Sequence, residues 1–266
     1  MEFYHKASKK LFFGYRREIR AARVLAQFPP GAGNIVMLHG PPGTGKTEFI
    51  QQFFSFLPQG STLVYENCAQ AINNGSFEET CFKLDGILRV AIGNVPLMLA
   101  LDEMEIVAVR REPLTIATMG HTLRITGLLQ LAPNVPQTIL ALCTNTPCIV
   151  DDSVGRRCTE SIYLSYATGE VIEDALLHIG YPNDLIPEAT RLWVGRLEVE
   201  GWWRGSQLIP AILKNASSII NLSPVELVDY LDSCPIGPRV KDSLRYERMN
   251  AEWIVMARRT LERWAP

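Results

Sequence analysis

An apolar run, a glycine-rich loop and a helical pattern follow one another without a break between residues 34 and 56, and nothing else in the chain limits its fold so sharply. Asn34-Ile-Val-Met-Leu-His39 has the apolar continuity of a buried strand. The next eight residues, Gly40-Pro41-Pro42-Gly43-Thr44-Gly45-Lys46-Thr47, fill every position of the phosphate-binding loop signature. Phe49, Ile50, Phe53, Phe54 and Phe56 then recur at helical spacing.

Each residue type in the loop has a physical reason. Gly40, Gly43 and Gly45 permit backbone angles that a Cβ would oppose, so successive N–H groups can turn inward around a β-phosphate. Lys46 adds a point charge for the β and γ phosphates, Thr47 offers a hydroxyl to Mg²⁺, and the positive end of the helix that starts here faces the anion. Pro41, Pro42, Gly43, Thr44, Gly45, Lys46, Thr47 and the adjoining Glu48 are therefore expected to line a nucleoside triphosphate, with Mg²⁺ held at Thr47.

With 266 residues and 47% hydrophobic content, the chain can bury one sizeable core and a smaller satellite domain. No apolar run approaches the length of a membrane span, and the Lys-containing start lacks the apolar core and cleavage site of a signal peptide, so a cytoplasmic protein is expected. The net charge of -2 offers no global electrostatic case for nucleic acid. Six scattered cysteines without a C-x-x-C pair argue against a zinc site or a disulfide framework. The four dispersed histidines receive no catalytic or metal role.

Beyond the loop, strand-like runs at residues 61–69, 96–101, 138–144 and 161–166 alternate with helical patterns at 77–91 and 122–131, which predicts a parallel sheet covered on both faces. From about residue 167 the strands stop. Helical periodicities at 170–179, 185–197, 207–220, 224–231 and 246–264 predict a second, all-helical domain. The expected division is an N-terminal segment with a linker helix (1–33), an α/β nucleotide domain (34–166) and a helical domain (167–266).

Pro96-Leu-Met-Leu-Ala-Leu-Asp102-Glu103 is an apolar strand that ends in two carboxylates, about one crossover after the loop. Asp102 would hold Mg²⁺ through its water shell, and Glu103 would polarise an attacking water. Adjacent acids at a strand end project in different directions, which suits two separate tasks. A second buried strand, Thr138-Ile-Leu-Ala-Leu-Cys-Thr144, carries Asn145 at its polar tip; if it lies beside the loop strand, Asn145 can reach between the γ-phosphate and the water. Arg156 and Arg157 precede the last strand, and either guanidinium could be offered to a neighbouring subunit's γ-phosphate. Such an arginine in trans requires a ring.

These residues together resemble an AAA+ ATPase of the classical AAA clade. Gly40 to Thr47 takes that family's preferred form of the loop, Asp102-Glu-Met-Glu-Ile-Val-Ala-Val-Arg-Arg111 resembles its second motif, and Thr144-Asn145 with Asp151 and Arg157 resembles its second region of homology. Gly205-Ser-Gln-Leu208 resembles the turn and helix start of its helical lid. The resemblance implies a three-layer P-loop α/β domain with a five-stranded parallel sheet, followed by a small helical lid, with ATP and Mg²⁺ as cofactors. It further implies Gly14 and Tyr15 beside the adenine, Asn145 as sensor of the γ-phosphate, Arg157 as the trans-acting finger with Arg156 as its competitor, and Arg204 with Gly205 at the lid side of the nucleotide. A homo-oligomer, six subunits in the family, follows from the same resemblance.

The short stretch between Asp151 and the last strand looks like the remodellers that act on HORMA-domain proteins, including bacterial ones. Where classical unfoldases carry an aromatic pore grip, this chain reads Ala71-Ile-Asn-Asn-Gly75-Ser-Phe77, so Ile72 or Phe77 would have to serve. The function expected is ATP-driven remodelling of a protein substrate or complex. A DNA-associated ATPase is the alternative, with Arg239, Lys241, Arg245, Arg248, Arg258, Arg259 and Arg263 as phosphate contacts, diluted by interspersed acids.

Overall fold

The computed structural model describes residues 2–4, 12–27, 34–74, 77–91, 96–109, 116–131, 135, 137–165, 169–200, 203–234, 246 and 248–264. Its centre is a sheet of β1 (Glu2–Tyr4), β2 (Asn34–His39), β3 (Thr62–Asn67), β4 (Leu97–Asp102), β5 (Thr138–Thr144) and β6 (Glu160–Tyr163), in the order β1-β3-β4-β5-β2-β6. The five strands β2 to β6 are parallel, as expected. A sixth, β1, was not anticipated: it adds antiparallel to β3, with Glu2 opposite Tyr65. Three residues are too few to show a strand periodicity, and it is pairing with β3 that makes them one.

Period-two alternation along the strands divides the sheet into two buried faces. Ile35, Met37, Val64, Leu99, Leu101, Leu140 and Leu142 turn to one side, where α3 (Cys68–Asn73), α4 (Phe77–Ala91) and α5 (Ile116–Leu131) lie. Val36, Leu38, Leu63, Met98, Ala100, Ile139 and Ala141 turn to the other, against α1 (Arg16–Leu25) and α2 (Lys46–Phe54). Phe77, read above as a candidate pore residue, is only 3% exposed and meets His121 of α5 edge-on at 4.8 Å. Ile72 also packs against this core. Phe77 is thus held in the core between α4 and α5, whereas Ile72 of α3 is only partly buried.

After β5 the chain passes through a 3-10 turn (Pro147–Ile149) and α6 (Asp152–Gly155) to reach β6. Helices α7 (Gly169–Ile179), α8 (Ile186–Glu200), α9 (Trp203–Lys214), α10 (Ala216–Ile219) and α11 (Pro224–Ser233) then form a separate cluster. Its core holds Ile172, Leu176, Tyr181, Trp193, Ile212 and Leu227. The single helix expected over residues 207–220 is divided at Asn215, whose amide donates to the Ala211 carbonyl at 2.9 Å and ends α9. A reciprocal Ser223–Glu226 capping box starts α11.

The last helix, α12 (Ala251–Trp264), was grouped with the helical domain from its sequence but lies against β6. β6 is an edge strand whose outward N–H groups need partners. The Ser161 N–H donates to Thr260 Oγ1 at 3.1 Å, and Thr260 in turn donates to Glu160 Oε2 at 2.9 Å. Arg263 Nη1 reaches Glu160 Oε1 at 2.8 Å, while Trp253 and Met256 pack onto the core beneath. No helix among the described residues is long and apolar enough to cross a membrane.

Candidate functional site

The loop between β2 and α2 is held open by backbone geometry that its glycines make possible. Gly43 and Gly45 have φ of 79° and 85°, in the left-handed region that side chains oppose. A Cβ on Gly40 would come within 2.1 Å of the Leu164 carbonyl oxygen, so the loop can leave the sheet here only without one. Lys46 is buried, and its Nζ donates to the Gly40 and Pro41 carbonyls, each at 2.8 Å. Burial pushes its ammonium down to about 8, against which nearby Asp102 and Glu105 pull upward. A charged lysine so poorly solvated gains strongly from an anion brought alongside.

Asp102 closes β4 beside this lysine and is 8% exposed. Its Oδ2 accepts from Thr47 Oγ1 at 3.0 Å and from Tyr65 Oη at 2.7 Å, and its Oδ1 accepts from the Glu103 N–H at 2.9 Å. Burial and the Asp102 carboxylate push the Tyr65 phenol well up, so it remains a donor. Glu103 has φ of 53°, a left-handed backbone that turns the chain where β4 ends. A left-handed non-glycine residue costs about 1 kcal/mol or more, and such strain gathers where a site demands it.

β5 does lie beside β2, with Thr144 opposite His39, so Asn145 stands level with the start of the loop. The backbone N–H of Asn145 and its Nδ2 both donate to Glu105 Oε1, at 3.1 and 3.3 Å. Glu105 belongs to the 3-10 turn Met104–Ile106 that follows Glu103, and its Oε2 is buried with no partner among the described residues. Asn145 is thereby tied to the turn that carries Glu103.

The donor set suits a magnesium nucleotide. Thr47 and Asp102 offer hard oxygen atoms 3.0 Å apart at the mouth of a glycine cradle. No group of three or more His, Cys, Asp or Glu side chains among the described residues could hold a metal alone. A cation here would complete its shell with phosphate oxygens and water, as Mg²⁺ commonly does.

Gly14 and Tyr15 pass between this loop and the first helix of the helical cluster. The Gly14 N–H donates to Asp174 Oδ2 at 2.8 Å, and a Cβ there would strike Val171 Cγ2 at 2.4 Å. Tyr15 is buried, donates to the Ser165 carbonyl and stacks on Phe12, whose ring lies 3.2 Å from where a Gly45 Cβ would stand. Arg204 and Gly205 are in the first turn of α9, but the Arg204 side chain lies outside what is described, as do residues 110–111, Gly75, Arg239, Lys241 and Arg245.

Arg156 and Arg157 are not brought to the loop of their own chain. Thr159, two residues further on, bonds to Ile35, five positions before Gly40, or roughly 16 Å along a strand. Arg156 Nε donates to the Asp152 carbonyl at 3.3 Å, and Arg157 Nη1 donates to the Ser153 carbonyl. Pro41, Pro42 and Thr44 belong to the loop itself, with Thr44 Oγ1 donating to the Pro41 carbonyl at 2.9 Å, and Glu48 lies in the first turn of α2. Sequence reasoning missed Phe12, Tyr65 and Glu105. Only Glu105 carried a signal, as a third acid within Asp102-Glu103-Met104-Glu105.

Residues 36–166 match the family described as ATPase family associated with various cellular activities (AAA). These residues form an AAA domain, with the α/β sheet and helices of that fold. Among solved structures it is similar to the FIGL-1 AAA domain, at 16% identity and a TM-score of 0.61 over 89% of this chain and 84% of that one. The same domain in complex with ADP gives 16% identity and a TM-score of 0.61 over 92% and 89%. The E. coli MS115-1 HORMA:CdnC:Trip13 complex includes a chain similar at 17% identity and a TM-score of 0.57, covering 77% of this chain and 75% of that one. No curated protein matches the sequence significantly.

Proposed function

We propose that this chain is a Mg²⁺-dependent ATPase that works as a homo-oligomeric ring and couples hydrolysis to remodelling of a protein partner. The observation that carries the reading is the Thr47–Asp102 bond of 3.0 Å, which joins the loop helix to the acidic strand end beside a buried lysine. Lys46 would turn from the Gly40 and Pro41 carbonyls to phosphate oxygens, while Thr47 and Asp102 hold the cation. Bound Mg·ATP supplies the scissile phosphoryl group and neutralises its charge. Glu103 would orient the attacking water and accept its proton on the carboxylate, with Asn145 fixing the water's other side. Arg157, or Arg156 beside it, would enter the neighbouring subunit's site, since neither reaches its own.

Gly14 and Tyr15 would flank the base, where α/β and helical parts of the chain meet. Hydrolysis there would alter the angle between those parts and so move the partner. A protein partner of HORMA type is favoured by the likeness to the Trip13 complex and by the short approach to β6. Of the α12 arginines named for nucleic acid, Arg263 is paired with Glu160, while Arg258 and Arg259 are exposed.

Glu103→Gln tests the assignment. The variant should bind Mg·ATP as the wild type does and turn it over at least ~100-fold more slowly. Held in that state, it should retain a protein partner in the presence of ATP. Undiminished turnover, or retention of DNA in place of protein, would count against the reading.

A further inference from the structure

Tyr65 sits one strand away from Asp102 and belongs to none of the motifs that mark the site. In the parallel register of β3 and β4, Tyr65 pairs with Ala100 and Asn67 with Asp102, so Tyr65 and Asp102 are diagonal neighbours on one face. Ala100 is small and fully buried, and over it the Tyr65 ring can extend towards the C-terminal end of β4. There Tyr65 Oη meets Asp102 Oδ2 at 2.7 Å.

That oxygen already accepts from Thr47 at 3.0 Å, and Oδ1 accepts from the Glu103 N–H at 2.9 Å. The three bonds differ in what they can be relied on to do. Thr47 is itself a prospective cation donor, and the Glu103 N–H belongs to a turn that must serve hydrolysis. The phenol is neither a prospective cation donor nor part of that turn; it comes from the strand next to β4, and its oxygen is also hydrogen-bonded with Thr47. Groups that orient a metal ligand in this way affect affinity for the ion without touching it.

Resting on the ATPase reading above, we propose that Tyr65 is a positioning residue that holds the Asp102 carboxylate, and through it Thr47, in the orientation a divalent cation requires. Its removal weakens the response to Mg²⁺ and spares the binding of metal-free nucleotide, which depends on the loop and Lys46.

Tyr65→Phe keeps the ring and its packing and removes only the hydroxyl. A fluorescent ADP analogue is titrated into wild type and variant with chelator present and across a Mg²⁺ series, with thermal melting as the check on folding. Metal-free affinity should be unchanged, while the Mg²⁺ concentration for half of the metal-dependent effect should rise ~10-fold. ATP turnover should fall at limiting Mg²⁺ and recover at saturating Mg²⁺. In an Asp102→Asn background the same substitution should add nothing. An identical Mg²⁺ response in wild type and Tyr65→Phe would overturn the inference alone, as would an equal loss with and without the metal. A wild type that binds nucleotide with no response to Mg²⁺ would overturn the ATPase reading and this inference with it.

Discussion

His39 ends β2 directly before the loop and is fully buried between β6 and α12. Its ring nitrogens lie 3.3 Å from Tyr246 Oη and 3.1 Å from Ser161 Oγ, and its face stacks on Tyr163 at 5.2 Å. Burial pushes its imidazolium down to about 3, with the Lys46 charge acting in the same direction. The folded protein therefore excludes a proton that the unfolded chain takes up below its ordinary value near 6.5. Stability from this group is complete above about pH 6.5 and falls by up to about 1.4 kcal/mol per unit as pH drops towards 3. Urea midpoints measured from pH 7 to pH 4 should fall less steeply for His39→Gln than for wild type; parallel slopes would show that His39 is not the group responsible.

At the scale of elements, α12 is attached to the sheet through a short polar chain. Thr260 satisfies the Ser161 N–H and donates to Glu160, which is 5% exposed and also holds Arg263. Thr260→Val keeps the shape and leaves a buried N–H and a carboxylate oxygen short of a partner, at a cost of about 1–3 kcal/mol. Denaturant unfolding should show that loss, and a change below about 0.5 kcal/mol would mean water replaces the hydroxyl.

Such contacts explain what the amino-acid sequence could and could not reveal. The loop was legible because only glycines, a lysine and a hydroxyl meet its local backbone and charge demands. The acidic strand end was legible because its apolar run stops abruptly at Asp102. The amphipathic stripe of α12 showed that one face is buried but not what it packs against, so its place on β6 could not be read. Tyr65 looked like any strand aromatic, since its value depends on the register between β3 and β4. Phe77 looked available as a pore grip at the start of a helical pattern, and only its packing against His121 of α5 shows that it is core.

Over the whole molecule, the described candidate site residues fall at two places along β2. Lys46, Thr47, Asp102, Glu103 and Asn145 converge at the ends of β2, β4 and β5, whereas Arg156 and Arg157 approach the far end of β2. We propose that Arg156 and Arg157 serve a neighbouring subunit's site, in a head-to-tail arrangement that closes as a ring. The most direct measurement is the ATP turnover of mixed subunits, one carrying Lys46→Ala and the other Arg156→Ala with Arg157→Ala. Each variant alone should be near background, and an equal mixture should regain activity, because about a quarter of its interfaces combine an intact loop with an intact arginine pair. Full turnover by Lys46→Ala alone, or a mixture as silent as its components beside an active wild type, would contradict the account.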